Sequence, residues 1–79
     1  MKNSNYPVEG AVYTHYKGAL YTVLFVATNS TNASDGRRLV VYRSRTGGEV
    51  YARDLEEFIE DVTWSDGVLR PRFVPADAS

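Results

Sequence analysis

The chain contains no cysteine, and its 79 residues include no long hydrophobic run. Without cysteine it has neither a disulfide framework nor a thiolate metal site, which are common stabilisers of small secreted domains. The longest apolar stretch, VLFVA, is far too short to span a bilayer, and the opening MKNSNYPVEG lacks the apolar segment of a signal peptide. We therefore expect a cytoplasmic protein.

An excess of positive charge is also missing. Nine Lys and Arg residues against ten Asp and Glu residues give a formal net charge of -1. This balance argues against a general nucleic-acid binder, because affinity for phosphate backbones depends on excess cations. The charges are segregated, however: residues 37–53 hold five arginines and one acid, and residues 54–61 hold five acids and no base. We expect an arginine-rich surface beside an acidic one.

The size of the chain predicts one domain with a small core. A protein this short buries only about 60–65% of the surface that its unfolded chain exposes. Aromatic residues make up 13% of the sequence, so some of them should stay partly exposed. We predict a flexible N-terminal arm over residues 1–9, a single β-rich domain over 10–74 and a tail over 75–79.

Two hairpins are indicated by alternating apolar residues and by glycine turns. AVYTHY, the turn KG and the long strand LYTVLFVAT form the first hairpin, and RRLVVYRSR, TGG and EVYARD form the second. The loop NSTNASDG separates them. A three-residue loop in the second hairpin places Arg45 opposite Glu49, Arg43 opposite Tyr51 and Val41 opposite Arg53. In this register Val40, Tyr42, Val50 and Ala52 face the core, whereas Arg43, Tyr51 and Arg53 face outwards.

A short helix and a last strand complete the pattern. DLEEFIEDV begins with a capping-box-like pair, Asp54 and Glu57, and carries an apolar stripe. The stripe consists of Leu55, Phe58, Ile59 and Val62. VLRPRFV then predicts a strand in which Pro71 marks an edge or a bulge. The elements together predict a mainly β fold with one short helix.

The motif YTHYKG, residues 13–18, holds the only histidine of the chain. His15 has no second histidine or cysteine with which to share a metal, so a strand histidine bonded to a neighbour is favoured over a ligand or catalytic role. No nucleophile–base pattern accompanies it, since serine and threonine cluster in the loop. The acids of the helix favour a solvated face over a metal site.

Arginine beside tyrosine is the strongest functional signal. Planar guanidiniums next to a phenol ring offer stacking and bidentate hydrogen bonds to planar or phosphorylated ligands. The segment RPRF adds arginines to the same basic face, if its strand lies beside the second hairpin. The predicted ligand-binding residues are Tyr13, His15, Lys17, Arg43, Tyr51, Arg53 and Arg72. No catalytic residue, metal or cofactor is predicted.

The motif YTHYKG, followed by VVYRS, GEVYAR and RPRF, resembles the family known as domain of unknown function 1653. The resemblance runs from Gly10 to Phe73, with departures at Tyr51, Asp54 and Glu57, where the family has Trp, Pro and Met. It implies a small bacterial or phage protein with an SH3-like β fold and no established reaction. We therefore expect a small SH3-like five-stranded barrel or a strongly bent antiparallel sheet.

Three functions are considered. The leading hypothesis is a non-enzymatic protein that holds a small anionic, nucleotide-derived ligand, assembles into a homo-oligomer and, in a phage, sequesters a nucleotide signal in the host cytoplasm. An alternative is a small-barrel module that binds protein or nucleic acid, for which binding should weaken steeply with salt and scale with polymer length. The third is a nucleotide hydrolase built on His15 and the acidic helix.

Overall fold

The computed structural model describes residues 6–32 and 36–76. Residues 1–5 of the predicted arm, 33–35 of the loop and 77–79 of the tail lie outside this part. The described chain forms seven strands and one helix. They are β1 (Val12–His15), β2 (Leu20–Thr28), β3 (Arg38–Ser44), β4 (Val50–Asp54), α1 (Leu55–Ile59), β5 (Asp61–Thr63), β6 (Leu69–Pro71) and β7 (Phe73–Pro75). No helix in these two segments has the length and apolar character needed to cross a membrane.

Five strands make one antiparallel sheet in the order β4-β3-β2-β1-β7, and β5 and β6 pair separately. The predicted mainly β fold, with its antiparallel sheet and one short helix, is confirmed. Within residues 6–32 and 36–76 the sheet does not close on itself, because β4 and β7 do not pair. The SH3-like barrel therefore stays a prediction.

The first hairpin forms as predicted. β-Branched and aromatic residues fill β2, and the turn is closed by bonds from His15 N to Ala19 O (2.8 Å) and from Gly18 N to His15 O (2.7 Å). The register between β2 and β3 shifts between Val23 and Phe25. A bulge of this kind changes which face the following side chains occupy. Val23 is consequently fully buried, whereas Phe25 is 47% exposed.

The predicted register of the second hairpin is wrong by one residue. A four-residue loop, 45–48, joins the strands, with Ser44 N donating to Glu49 O (2.8 Å). Tyr42 therefore lies opposite Tyr51, and Val40 opposite Arg53. A shift of one residue turns every side chain of a strand to the other face.

This shift corrects the predicted faces of the hairpin. Val40 and Tyr42 are buried as predicted, but Val50 and Ala52 are exposed rather than in the core. Tyr51 and Arg53 share the face of Tyr42, and Arg43 lies on the opposite one.

The core lies between α1 and the sheet face that it covers, which we call the inner face. Its buried side chains are Tyr13, Val23, Val40, Tyr42, Phe58 and Phe73. Phe58 of α1 stacks on Phe73 with ring centroids 4.0 Å apart and meets Tyr13 and Tyr42 edge-on, each at 5.6 Å. This aromatic cluster fixes the helix on the sheet.

The start and the length of α1 differ from the prediction. Asp54 occupies the cap position, but its side chain makes no capping hydrogen bond. Its carboxylate instead accepts a bond from Arg37 Nη1 at 2.8 Å. The helix ends at Ile59, so that Val62, predicted on its apolar stripe, lies in β5.

The predicted last strand is two strands. β6 pairs with β5 and β7 pairs with β1, with the break at Arg72. The backbone N of Arg72 donates to Glu60 O at 2.8 Å, and its carbonyl accepts from Tyr16 N at 2.9 Å. This crossing brings Arg72 next to the end of α1, whereas the prediction placed it on the same face as Arg43.

Candidate functional site

The helix covers only part of the inner face. Beyond Phe58 the face continues with Tyr21, Tyr51 and His15, which are half-buried or exposed, and Tyr51 is 42% exposed. Tyr21 is the centre of this group, with ring centroids 5.3 Å from Tyr42 and 6.1 Å from both Tyr51 and His15. The two tyrosines and the histidine thus form a continuous aromatic surface at the border of the core.

Arg53 adds a fixed positive charge to this surface. Its Nε donates to Tyr42 Oη at 3.4 Å, and its Nη1 donates to Glu57 Oε1 at 3.3 Å. The hydrogen bond to Tyr42 raises the pKa of Arg53 above its ordinary value, and the negative charge of Glu57 acts in the same direction. The guanidinium is therefore permanently charged and held in one orientation, with about a third of the side chain exposed to solvent.

Arg72 supplies a second positive charge from the strand break. Its Nε donates to the backbone oxygen of Glu57 at 2.9 Å, and its Nη2 donates to Glu60 Oε1 at 2.9 Å. The side chain is only 19% exposed. Both contacts lie at the C-terminal end of α1, where a cation is favoured by the helix dipole.

His15 lies within the electric field of both arginines. Its Nδ1 accepts a bond from Lys17 N at 3.2 Å, so the neutral ring carries its proton on Nε2. Burial lowers the pKa of His15 below its ordinary value of 6.5, and the charges of Arg53, Arg72 and Lys17 lower it further. At neutral pH the imidazole is an uncharged donor in a positive environment.

Four of the seven predicted site residues therefore lie together. With the missed Tyr21 they form what we call the Arg/Tyr surface, which consists of His15, Tyr21, Tyr51, Arg53 and Arg72. Tyr21 was detectable, because it lies directly opposite Tyr13 in the first hairpin and so must share its face.

The other three predicted residues lie elsewhere. Tyr13 is buried beneath α1, with its hydroxyl accepting a bond from Val8 N at 2.9 Å. Arg43 is exposed on the opposite face of the sheet, because of the register of the second hairpin. Lys17 is exposed on the first turn, with its Nζ 5.8 Å from the centre of the Tyr16 ring. The predicted grouping of Arg43 with Tyr51 and Arg53 is wrong.

The Arg/Tyr surface lies apart from the main depressions of the described chain. Three of these depressions have volumes of about 240, 590 and 490 Å³. Two adjoin Arg37 and the start of α1, and the third lies between Tyr16 and Trp64. None is lined by a residue of the Arg/Tyr surface. A ligand there would lie against the sheet or require a second surface to cover it.

Metal chemistry receives no support from side-chain geometry in this part of the chain. No three His, Cys, Asp or Glu side chains of residues 6–32 and 36–76 come together as a metal site. Three acids contact the Arg/Tyr surface: Glu57 and Glu60 are each bonded to one of its arginines, and Glu49 Oε1 accepts a bond from Tyr51 Oη at 2.8 Å.

Comparisons with known proteins agree with this architecture. A family model described as a protein of unknown function, DUF1653, matches residues 11–75. The chain is also similar to a DUF1653 protein from Bordetella bronchiseptica whose crystal structure is solved, with 31% sequence identity, a TM-score of 0.68 and coverage of 85% of both chains. No curated protein matches.

Proposed function

The chain belongs to the DUF1653 family of proteins of unknown function, and we propose that its Arg/Tyr surface binds a small anionic ligand, with nucleotide-derived ligands as the leading class. The supporting observation is that two oriented guanidiniums border the exposed aromatic rings on one face. Phosphate groups are recognised by such guanidiniums, and planar bases stack on tyrosine.

The positions of the donors favour an anion. Both arginines already contact acids, but these acids are more exposed than the arginines: Glu57 and Glu60 are each 57% exposed at the side chain. The more exposed of the two pairs, Arg53–Glu57, should contribute at most about 1 kcal/mol, so a ligand phosphate can replace or extend it at low cost. His15 Nε2 adds a neutral donor beside them.

The hydrogen bonding of His15 favours binding over hydrolysis. His15 uses Nδ1 for the bond from Lys17 N, which leaves only a donor on the ring. A general base at this position would need an unprotonated nitrogen directed at the substrate or a water molecule. We accordingly propose a non-enzymatic role in the cytoplasm, such as sequestration of a nucleotide signal during phage infection, by a homo-oligomer.

Isothermal titration with mono-, di- and cyclic nucleotides tests this proposal. Arg53→Ala should weaken binding by roughly 30-fold to 1000-fold, which corresponds to about 2–4 kcal/mol for a charge-assisted bidentate contact. Arg53→Lys should restore only part of the affinity, since a point charge does not reproduce the planar fork. Arg43→Ala is the matched control, because Arg43 lies on the opposite face, and it should leave affinity unchanged.

Two results would argue against a small-ligand site. One is the absence of any nucleotide that binds more tightly than about 1 mM. The other is affinity that grows with the length of an oligonucleotide and falls steeply with salt, which would favour the nucleic-acid alternative. A lower melting temperature of the Arg53→Ala variant, together with unchanged nucleotide affinity, would assign Arg53 a structural role.

A further inference from the structure

Strand β4 is an unprotected edge of the five-stranded sheet. Across residues 6–32 and 36–76, no strand pairs with its outer side. Natural edge strands are usually short or carry charged side chains, proline or a bulge, which hinder pairing with another chain. β4, with the sequence VYARD, has five residues, no proline and no register shift against β3, and its two charged side chains, Arg53 and Asp54, are paired within the chain with Glu57 and Arg37.

The other edge of the same sheet is protected. β7 has only three residues and ends in Pro75, which has no N–H to donate. The residue before β7, Arg72, directs its backbone N–H to Glu60 O. The contrast between the two edges favours β4 for pairing with another strand.

The hydrogen-bonding groups on the outer side of β4 follow from its pairing with β3. Ser44 N donates to Glu49 O, so this pair is a hydrogen-bonded one, and such pairs alternate along an antiparallel ladder. Tyr51 and Arg53 therefore direct their backbone groups towards β3. Those of Val50 and Ala52, together with the N–H of Asp54, point outwards, whereas the Asp54 carbonyl begins the hydrogen bonding of α1.

We propose that β4 pairs with β4 of a second copy of this chain, antiparallel and centred on Ala52, and that this pairing completes the Arg/Tyr surface. Ala52 then lies opposite the same residue of the other copy, and their outward backbone groups exchange two hydrogen bonds. At each end of this pairing the Asp54 N–H of one chain donates to the Val50 carbonyl of the other. The two sheets become one, as in recognition by strand addition.

The side chains brought together in this register are complementary. Tyr51 of one copy lies opposite Arg53 of the other on the inner face, which permits a cation–π contact. No like charges lie directly opposite each other between residues 50 and 54. Val50, which is 50% exposed in the single chain, becomes shielded where the two β4 strands pair.

The pairing also changes what the surface can bind. The two Arg53 positions become diagonal neighbours, whose Cα atoms are about 7–8 Å apart. An anionic group on the twofold axis can then accept bonds from both guanidiniums, with a tyrosine on either side. Each single chain supplies half of this arrangement, so the inference rests on the proposed function and names the partner that completes it.

Single-cysteine variants test the pairing directly, because the natural chain has no cysteine. At the axis, two Ala52→Cys residues would have Cα atoms about 5.5 Å apart, within the range of a disulfide. Arg43→Cys is the matched control: it is exposed on β3, about 20 Å from its counterpart in the other copy, three strand spacings across and four residues along. We expect a covalent dimer of A52C under mild oxidation and none of R43C. Equal cross-linking of both variants, or none of A52C, would overturn the pairing.

A second variant removes the backbone donor. Ala52→Pro deletes an N–H that points away from β3, so it should spare the fold of the single chain, which far-UV circular dichroism checks. Light scattering should show the natural chain at twice the 8.9 kDa of one chain and A52P at that of one. A monomeric natural chain, or a dimeric A52P, would contradict the proposal.

Nucleotide titration of A52P separates this inference from the proposed function. If A52P loses nucleotide affinity together with the dimer, this result supports an Arg/Tyr surface that is completed by the second copy. Full affinity in a monomeric A52P would overturn that completion and leave the proposed ligand site intact.

Discussion

Replacing Phe58 by alanine should remove a large part of the stability of the fold. The side chain is 1% exposed, stacks on Phe73 at 4.0 Å and meets two buried tyrosines edge-on. Removal of a fully buried phenylalanine costs about 3–5 kcal/mol, and the loss of three aromatic contacts favours the upper part of this range. A domain of this size has a free energy of unfolding of roughly 4–12 kcal/mol.

Urea unfolding, followed by the fluorescence of Trp64, measures the loss. Trp64 is the only tryptophan of the chain and its Nε1 donates to Pro71 O at 3.0 Å, so its signal should change on unfolding. Phe58→Leu keeps most of the volume and should cost less than half as much. Ile59→Ala, at a half-buried neighbour, is the control. A loss below about 1 kcal/mol for Phe58→Ala would refute the central position of α1 in the core.

Two further predictions concern a glycine turn and the histidine. Gly48 has φ of +79° whereas Gly47 does not have positive φ, and a methyl group added at either position would meet no atom within 4 Å. Gly48→Ala should therefore destabilise the protein by about 1–2 kcal/mol and Gly47→Ala should not, as measured by urea unfolding. Because the pKa of His15 is lowered in the fold, the free energy of unfolding should fall as pH drops below 6.5, and His15→Asn should flatten this dependence below pH 6.5.

The elements of the fold were accessible from the sequence because each leaves a local signal. Alternation and a glycine turn identify the first hairpin, and the spacing of Leu55, Phe58 and Ile59 identifies the helix. The division of VLRPRFV between two sheets has no such signal. It depends on the contacts of Arg72 with residues 57 and 60, which are distant in sequence.

The site was only partly predictable, for a definite physical reason. The composition of RTGG fits both a three- and a four-residue loop, and one residue of loop length decides whether Tyr51 and Arg53 share the face of Arg43 or that of Tyr42. The predicted side-chain cap of α1 does not form, because of a contact that is distant in sequence. Asp54 fits the capping pattern, but its carboxylate is taken by Arg37, from the other side of the second hairpin.

The contacts of the Arg/Tyr surface connect the fold to the proposed function. The strand break at Arg72 and the position of Arg53 next to the last residue of β4 place both guanidiniums at α1, which rests on the core through Phe58. Packing therefore fixes the direction of the charges before a ligand arrives. Such preorganisation reduces the entropy lost on binding.

The most direct test of the ligand site is a nuclear magnetic resonance titration of the His15 ring, with and without the tightest-binding nucleotide. His15 is the only histidine, so its signals are unambiguous. Burial lowers its pKa in the free protein, and the charges of the nearby arginines lower it further. A bound phosphate would offset their charge, and we predict that the pKa of His15 rises on binding and that Arg53→Ala abolishes the rise. A nucleotide that binds without changing the pKa of His15 would contradict the account.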